Sequence, residues 1–372
     1  MKDPSFMLKE RNDQKMKRIG ILTSGGDCQG LNAAIRGVAK ALYESFDEVE
    51  IIGVLDGYKG LIEGRTRVMK PEDFSGILTM GGTVLGTSRQ PFKTMRVIGE
   101  DKVDKVAAMK ATVGRLKLDC LVILGGNGTH KTANLLREEG VNVVTLPKTI
   151  DNDLWGTDIT FGFQSAVDVA ANVIDHIHTT ATSHGRVFIV EVMGHKVGWL
   201  TLHAGIAAGA DVILLPEIPY DIQRIAQALE RRRKQGKAFS ILAVAEGTVS
   251  RAEAKMSKKE LAAAREKERY PAVSYRIAQE LEPYAGSETR VCVPGHYQRG
   301  GPPCAYDRVL ATTIGAAAAG LIREEKYGMM CAVINNEIVP VPLEEVAGKL
   351  KRVPAECSTV RMAREIGISF GD

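Results

Sequence analysis

The sequence has little of what marks a membrane protein or a nucleic-acid-binding protein. No apolar run in its 372 residues approaches the roughly 18 residues that a helix needs to span a bilayer. The net charge is only +4, and no basic stripe with interleaved aromatic residues is present. We therefore expect neither a membrane nor a nucleic-acid partner.

Paired cysteines and targeting signals are also missing. The six cysteines are scattered and form no CxxC pair, which argues against a zinc site or a disulfide framework and predicts a cytoplasmic location. The first residues lack the apolar region of a signal peptide and include acidic residues that a transit peptide would avoid. We expect residues 1–17 to form a flexible, solvated extension.

What the sequence contains is a regular alternation of strand and helix patterns. Its composition, 44% apolar and 25% charged, is typical of a globular protein, and its length suits two domains. The alternation predicts the α/β class, with two doubly wound, Rossmann-like parallel sheets that bind ligands at the carboxyl ends of their strands. The predicted strands cover residues 18–23, 50–55, 120–124, 141–146, 187–192, 211–215, 239–245 and 289–293.

Residues 121–153 carry the most informative pattern. The apolar run from Cys120 to Leu124 predicts a buried strand that stops at Gly125 and Gly126. These glycines lack Cβ atoms, so a ligand can approach the backbone closely. A helix follows, and we expect Thr129 to cap it. The free N–H groups at the start of this helix face the turn and favour an anion there. An ordinary tight connection explains such a turn equally well when the turn is taken alone.

Two carboxylates follow the next predicted strand. Asp151 and Asp153 stand two residues apart, so both project to one side of an extended segment. They could share a metal, divide into a base and a metal partner, or cap a turn. Four arginines suited to phosphate lie in turns or beside strands, although any one of them could form a surface ion pair instead. They are Arg89, Arg186, Arg290 and Arg299.

These motifs together resemble the 6-phosphofructokinase family from about residue 19 to residue 315. The resemblance is carried, in order, by LTSGGDCQGLNAAIRG, LGTSRQPF, GGNGTHKTA, PKTIDND, EVMGH, AEG and GHYQRGG. It implies transfer of a phosphoryl group from ATP or pyrophosphate to the 1-hydroxyl of fructose 6-phosphate, with Mg²⁺, in a cleft between two domains. The donor domain would comprise residues 18–162 and about 297–348, and the sugar domain about 163–296 and 349–372.

The resemblance also implies roles for individual residues. Asp151 would take the proton of the sugar hydroxyl, and Thr149, Gly26 and Arg186 would complete the catalytic set. Arg186 and Arg290 match residues that reach in from a neighbouring subunit, which implies a homotetramer or at least a dimer. Mg²⁺ would bind at Asn127 and Asp153. The donor would be held by Gly26, Tyr58, Arg89, Gln90, Asn127, Gly128 and Thr129. The sugar phosphate would be held by Thr149, Asp151, Arg186, Met193, Gly194, His195, Glu246, Arg290, His296 and Arg299.

Several positions depart from the usual family pattern. Asn127 stands where the family usually has an Asp that binds Mg²⁺, and its amide oxygen suits a hard cation but adds no charge. His195 stands where bacterial ATP-using members often have Arg. Lys40 and His178 match effector-binding arginines, so the allosteric control of those enzymes does not follow from the resemblance.

Two positions bear on the phosphoryl donor, and they disagree. Gly128 leaves room for the α-phosphate and nucleoside of ATP, whereas pyrophosphate-using relatives carry an Asp there that fills the space and repels them. Lys148 has the opposite implication, since pyrophosphate users carry Lys at this point. A repulsive block excludes a substrate whereas either donor tolerates an extra Lys, so we predict ATP.

Three alternatives remain open at this stage. The first is a pyrophosphate-dependent fructose 6-phosphate 1-phosphotransferase. The second is a non-catalytic sugar-phosphate sensor with the same fold, suggested by Asn127, although the presence of Thr149, Asp151 and Asp153 speaks against it. The third is a lipid or NAD kinase with a similar glycine turn, against which PKTIDND and GHYQRGG count.

Overall fold

The computed structural model describes residues 16–99, 102–267, 270–286 and 288–372. Of the predicted extension, residues 1–15 lie outside this part, whereas Lys17 already belongs to the first strand. The strands are β1 (Lys17–Ser24), β2 (Val49–Val54), β3 (Thr66–Met69), β4 (Cys120–Gly125), β5 (Val143–Pro147), β6 (Val187–Val192), β7 (Val212–Leu214), β8 (Ser240–Ala245), β9 (Thr289–Cys292), β10 (Met329–Ile334) and β11 (Glu337–Pro342). The helices are α1 (Leu31–Ser45), α2 (Gly57–Glu63), α3 (Lys105–Leu116), α4 (Asn127–Glu138), α5 (Phe163–His184), α6 (Trp199–Ala207), α7 (Ile222–Lys234), α8 (Lys258–Lys267), α9 (Val273–Ala285), α10 (Ala305–Arg323), α11 (Leu343–Val346) and α12 (Ser358–Glu365).

The strands form two sheets. The larger sheet has the order β11-β10-β5-β4-β1-β2-β3, and the smaller sheet has the order β7-β8-β6-β9. In the larger sheet β4 lies parallel between β1 and β5, with Ile19 opposite Cys120 and Leu121 opposite Val143. The pairs of the smaller sheet are parallel too. This is the predicted α/β architecture with two parallel sheets, while the residue boundaries of the two domains stay a prediction.

The two edges of the larger sheet are antiparallel, which the sequence analysis did not predict. β3 pairs antiparallel with β2, and β11 pairs antiparallel with β10. Asn335 and Asn336 join β10 to β11, and their φ values of 53° and 66° lie in the left-handed region that a two-residue hairpin turn requires. The signal for this hairpin was therefore present as two adjacent asparagines.

Each sheet is covered on both faces, which explains why β4, β6 and β8 are buried along their whole length. One apolar cluster contains residues of both sheets, including Val122 and Val190. A second cluster covers the other face of the larger sheet around Ile123, and a third covers the other face of the smaller sheet around Leu242. The two halves of the chain are thus joined by a shared core.

Helices α1 and α10 pack closely because each carries a glycine at the contact. A Cβ atom on Gly37 would lie 2.5 Å from the Thr312 carbonyl oxygen, and one on Gly315 would lie 2.5 Å from the Ala34 carbonyl oxygen. This contact fixes α1, the helix that follows the glycines after β1. None of the helices in the described ranges combines the length and apolarity that crossing a membrane requires.

Candidate active site

Three loops meet at the carboxyl ends of the strands of the larger sheet, because they follow the neighbouring parallel strands β1, β4 and β5. We call residues 125–129, after β4, the glycine turn, and residues 148–153, after β5, the carboxylate segment. The third loop begins with Gly25 and Gly26 after β1. Its position beside the glycine turn is the one at which open α/β sheets bind ligands.

The prediction that Thr129 caps the helix is wrong. Helix α4 begins at Asn127, and its cap residue Gly126 makes no side-chain capping bond. Thr129 lies within the first turn of the helix, where its hydroxyl donates to the Ser24 carbonyl at 3.4 Å. A Cβ atom on Gly125 would lie 2.2 Å from Thr129 Cγ2, so this glycine is required by the packing of Thr129 against the turn.

The surface of the glycine turn is open. A Cβ atom on Gly128 would meet nothing within 4 Å, and the residue is exposed. The side-chain amide of Asn127 donates to the Lys349 carbonyl at 2.5 Å, so its nitrogen faces the C-terminal part of the chain. The turn therefore offers backbone N–H groups and a helix N-terminus without a negative side chain in the way.

The predicted donor contact of Tyr58 needs correction. Tyr58 is only 1% exposed, and its hydroxyl donates to the Thr129 carbonyl at 2.9 Å. It supports the glycine turn from the core side, since burial keeps the ring away from any ligand above the turn. His130 gives a second support, because its Nδ1 lies 2.9 Å from the Gly126 carbonyl oxygen. Burial lowers the pKa of His130 to about 4, so the ring is neutral.

The loop that carries Arg89 and Gln90 is bonded to the glycines after β1. The Thr87 hydroxyl donates to the Gly25 carbonyl at 2.7 Å, and the Gly25 N–H donates to the Ser88 carbonyl at 3.1 Å. Arg89 is exposed and therefore accessible to a ligand. The structure thus brings these predicted donor residues beside Gly26.

The carboxylate segment is buried except at Asp151, which is half-buried. Lys148, Thr149 and Asp153 are 3%, 6% and 7% exposed. The Lys148 ammonium donates to the Gly26 carbonyl, and burial lowers its pKa. The Thr149 hydroxyl accepts the N–H of Asp151 at 3.1 Å. Lys148 therefore ties the segment to the loop after β1.

Both carboxylates of the segment have raised pKa values. Burial raises the pKa of Asp151, and Glu246 raises it further, whereas Arg299, His195 and Lys148 lower it. Burial and the neighbouring Asp151 raise the pKa of Asp153 to about 7. The residues that act on Asp151 come from distant parts of the sequence, so the fold collects several predicted site residues around this one carboxylate.

The predicted sugar-side loop follows β6 and is held by Glu246, which follows β8. The Glu246 carboxylate accepts the N–H of Gly194 at 3.2 Å and that of His195 at 2.7 Å. Gly194 has a φ of 146°, and His195 has a φ of 53°. Both values lie in the region that side chains disfavour, so the two bonds stabilise an unusual backbone.

Arg299 connects the two sheets. It ends a short 3₁₀ helix after β9, Gly295–Arg299, which also carries the exposed His296. Its guanidinium donates to the Asp27 carbonyl at 2.9 Å. A Cβ atom on Gly26 would lie 2.9 Å from Arg299 Nη1, so the missing side chain at Gly26 makes space for this arginine.

Arg186 and Arg290 do not join this group within the chain. Arg186 directly precedes β6, at the end of that strand opposite to Met193. It pairs with Glu288 at 2.8 Å, and Arg290 pairs with the same carboxylate. Within the chain both arginines thus lie away from Met193, and their contacts with the sugar phosphate stay a prediction.

Sequence reasoning missed three residues that shape the site. The buried Gln298 accepts the Met193 N–H at 3.2 Å and donates to the Gly295 carbonyl at 3.1 Å. Lys351 donates to three oxygens beside the carboxylate segment, and Trp199 donates to the Lys351 carbonyl at 3.1 Å. Gln298 lies inside a quoted motif, whereas Lys351 is distant in sequence and carries no local signal.

The metal predicted at Asn127 and Asp153 fits the chemistry of this region. In the described part of the chain no group of three or more His, Cys, Asp or Glu is arranged to hold a metal. Mg²⁺ does not require such a cage, because one or two carboxylates and substrate phosphates often suffice. Burial and, after it, repulsion from Asp151 raise the pKa of Asp153, and a bound divalent cation would favour the charged form of this carboxylate.

The chain is similar to phosphofructokinases in its family pattern, its sequence and its fold. A family model described as Phosphofructokinase matches residues 18–322. An ATP-dependent 6-phosphofructokinase from Spirochaeta thermophila is 55% identical over 96% of this chain and 98% of its own length. One from Propionibacterium freudenreichii is 47% identical over 95% and 99% of the two chains.

Solved structures agree on the architecture. The Pichia pastoris phosphofructokinase in the T-state has a TM-score of 0.75 and 32% identity, and the match covers 96% of this chain and 37% of that one. This chain thus spans about a third of the Pichia protein. A pyrophosphate-dependent phosphofructokinase from Nitrosospira multiformis has a TM-score of 0.79 at 19% identity, over 94% and 90% of the two chains, which shows the fold alone.

Proposed function

The chain belongs to the phosphofructokinase family, and we propose that it transfers the γ-phosphoryl group of ATP to the 1-hydroxyl of fructose 6-phosphate. The products are fructose 1,6-bisphosphate and ADP, as in glycolysis. The observation that carries this proposal is what converges on Asp151: the Lys148 N–H bonds its segment to the Gly125 carbonyl of the open glycine turn at 3.0 Å, and Arg299 and His195 act on its charge from the other sheet. A phosphoryl donor and a sugar phosphate can each reach this carboxylate from one side.

In the proposed reaction Asp151 accepts the proton of the sugar 1-hydroxyl as its oxygen attacks the γ-phosphorus. The bond from the γ-phosphorus to the bridging oxygen breaks, and ADP leaves. A strong base is not needed because the transition state of phosphoryl transfer is loose, and the raised pKa of Asp151 suits a modest base. Thr149, whose hydroxyl accepts the Asp151 N–H, holds the carboxylate segment in place.

The donor binds over the glycine turn. Backbone N–H groups at the start of α4 face the phosphates, and the exposed Arg89 adds positive charge beside them. Gln90 and Gly26 line the same side, while Tyr58 and Thr129 support the turn from below. The arrangement positions the γ-phosphoryl group without placing a carboxylate against the rest of the nucleotide.

The sugar phosphate binds on the side of the smaller sheet. The loop of Met193, Gly194 and His195 is fixed by Glu246 and Gln298, so its backbone is preorganised. Arg299 supplies positive charge at the other end of the sugar, and the exposed His296 adds ring nitrogens that can hydrogen-bond. Because this loop needs no rearrangement when the sugar phosphate binds, the free-energy cost of ordering it on binding is small.

Mg²⁺ is proposed as the cofactor, with Asp153 and the amide oxygen of Asn127 as its protein ligands. When bound, the ion would neutralise charge on the transferred phosphoryl group. Because Asn127 adds no charge, the buried carboxylate of Asp153 supplies the protein's main attraction for the ion.

ATP is the better supported donor because residue 128, where a carboxylate would exclude the nucleotide, is a glycine without a side chain. A Cβ atom on Gly128 meets no atom within 4 Å, so the nucleoside side of the turn is free of both bulk and charge. Relatives named ATP-dependent 6-phosphofructokinase cover almost the whole chain. The Lys148 ammonium donates one of its three N–H groups to the Gly26 carbonyl, so part of its donor capacity is used within the protein.

A donor-and-acceptor panel tests the proposal. Initial rates are measured with ATP and with pyrophosphate at matched Mg²⁺, each with fructose 6-phosphate, and again after removal of Mg²⁺ with a chelator. We expect turnover with ATP that depends on Mg²⁺ and on the sugar phosphate. Rapid turnover with pyrophosphate and none with ATP would replace the proposed donor, and no turnover with either would leave the sensor alternative.

A shared active site requires at least a dimer, and we propose a homotetramer in the cytoplasm. Arg186 and Arg290 lie together on Glu288 at the edge of the smaller sheet, away from their own chain's Asp151. A second copy could present these two arginines to the sugar phosphate. A stable monomer with full activity would contradict this assembly.

A further inference from the structure

Asn152 stands between the two carboxylates in an unusual conformation. Its φ of 50° lies in the left-handed region, and it is 5% exposed. This backbone turn decides how Asp151 and Asp153 are directed, because they flank it on both sides. A left-handed residue other than glycine persists only where surrounding contacts hold it.

Two side-chain contacts hold Asn152: its amide nitrogen donates to the Asp158 carbonyl at 3.3 Å, and its amide oxygen accepts a hydrogen bond from Lys351. The Lys351 ammonium donates to Asn152 Oδ1 at 3.0 Å, to the Thr157 carbonyl at 2.9 Å and to the Asp158 carbonyl at 2.8 Å. An ammonium has three N–H donors, and here each of them has an oxygen partner. The chain from Asn152 to Asp158 is thereby closed around one cation.

Lys351 is itself fixed from both sides. Its N–H donates to the Asp153 carbonyl at 2.9 Å, and its carbonyl accepts the Trp199 indole N–H at 3.1 Å. Its ammonium lies 5.7 Å from the centre of the Trp199 ring. Lys351 therefore joins the carboxylate segment to helix α6 of the smaller sheet.

The residues around Lys351 extend these connections. The Lys349 carbonyl accepts the Asn127 amide, and the Val353 N–H donates to the Glu217 carboxylate at 3.0 Å. We define residues 349–353 as the strap. The strap touches the glycine turn at one end and the smaller sheet at the other, with Lys351 at its centre.

We propose that Lys351 is a positioning residue for phosphoryl transfer, which fixes the left-handed Asn152 and so directs the carboxylates of Asp151 and Asp153. This inference rests on the proposed function, since it assigns Lys351 to the same carboxylates. Lys351 touches neither substrate in this role. Its loss should therefore lower kcat without a comparable change in KM.

The test compares K351M with K234M, which makes the same substitution at a 75% exposed side chain on α7. We expect K351M to lower kcat by about 10- to 100-fold, since small misplacement of reacting groups has effects of this size. KM for ATP and for fructose 6-phosphate should stay within about threefold of the parent by the same reasoning. K234M should match the parent in all three values.

A double-mutant cycle separates positioning from simple loss of stability. In an N152G background the left-handed turn needs no side-chain support, because glycine adopts it without strain. The effect of K351M on kcat should therefore be smaller in N152G than in the parent. An equal effect in both backgrounds would contradict the proposal, as would a kcat loss that only follows the folded fraction measured by thermal unfolding.

Further outcomes keep the inference falsifiable. If K351M does not fold, K351Q decides, because its shorter side chain has two N–H donors and cannot make all three bonds of the ammonium. A lowered kcat at unchanged KM then supports the proposal, and a parent kcat overturns it. A raised KM for fructose 6-phosphate at parent kcat would make Lys351 a substrate contact instead. An inactive parent chain would contradict the proposed function itself, whereas an active parent with a fully active K351M contradicts only the inference.

Discussion

The glycine turn and the carboxylate segment follow adjacent strands of one sheet, yet they are built in opposite ways. The glycine turn is open at Gly128 and is supported from the core side by Tyr58 and His130. The carboxylate segment is buried and is tied on several sides, by Lys148 among others. The comparison suggests that binding a large, highly charged nucleotide needs an accessible backbone, whereas proton transfer needs a fixed and desolvated carboxylate.

The largest expected effect is at the carboxylate. D151N removes the base while keeping the size of the side chain, and kcat should fall by about 10²- to 10⁴-fold. Binding of fructose 6-phosphate, measured by calorimetry, should stay within about threefold, because the contacts of the sugar loop are unchanged. D175N, at an exposed position on α5, is the matched control and should behave like the parent. A D151N enzyme as fast as the parent would remove Asp151 from the mechanism.

A smaller effect is expected at the open turn. G128D adds a carboxylate without steric conflict, so the protein should fold normally. We expect kcat/KM for ATP to fall by about 100-fold through repulsion, and kcat/KM for any activity with pyrophosphate to fall less. G114D makes the same change at another glycine with open space, on α3, and should leave the kinetics unchanged. If the kinetics of G128D with ATP were the same as those of the parent, the bound nucleotide would not lie beside this residue.

The smallest effect on catalysis is expected from His130 beneath the turn, whose contribution is to the pH dependence of stability. Burial lowers its pKa from 6.5 to about 4, so between these values the unfolded chain binds a proton that the folded chain does not. The free energy of unfolding should therefore decrease as the pH falls through this window. Chemical denaturation at a series of pH values measures it, and H130Q should show a shallower dependence. An H130Q enzyme with the same slope as the parent would indicate that other groups cause the acid sensitivity.

Much of the fold could be predicted from the sequence because the buried parallel strands are short apolar runs that stop at glycine or charge. The strand Val187–Val192 has the predicted bounds, and the other predicted strands differ by one or two residues at their ends. The antiparallel edge strand β3 was missed, since its residues are partly exposed and form no continuous apolar run. The parallel strand β10 was missed as well, although it is a buried apolar run.

The site residues that stand in short sequence motifs could be predicted. The residues that come from distant parts of the sequence could not. The glycines and carboxylates stand in short motifs, so the fold only had to bring their loops together. Tyr58 was misassigned because sequence does not show whether a tyrosine faces a ligand or the core. Gln298 stands in a motif but acts on backbone groups, which any sequence possesses, and Lys351 lies 199 residues from the Asn152 side chain that it bonds. Neither role therefore had a local sequence signal.

The position of Arg299 against Gly26 has a thermodynamic consequence. The arginine belongs to the proposed sugar-phosphate site, and the glycine belongs to the loop beside the nucleotide phosphates, so one contact is common to both ligands. If the nucleotide or the sugar phosphate orders this contact when it binds, the conformational entropy of the contact is already lost when the second substrate binds. Linkage then requires that each substrate change the dissociation constant of the other by the same factor, so the two substrates bind as a cooperative pair.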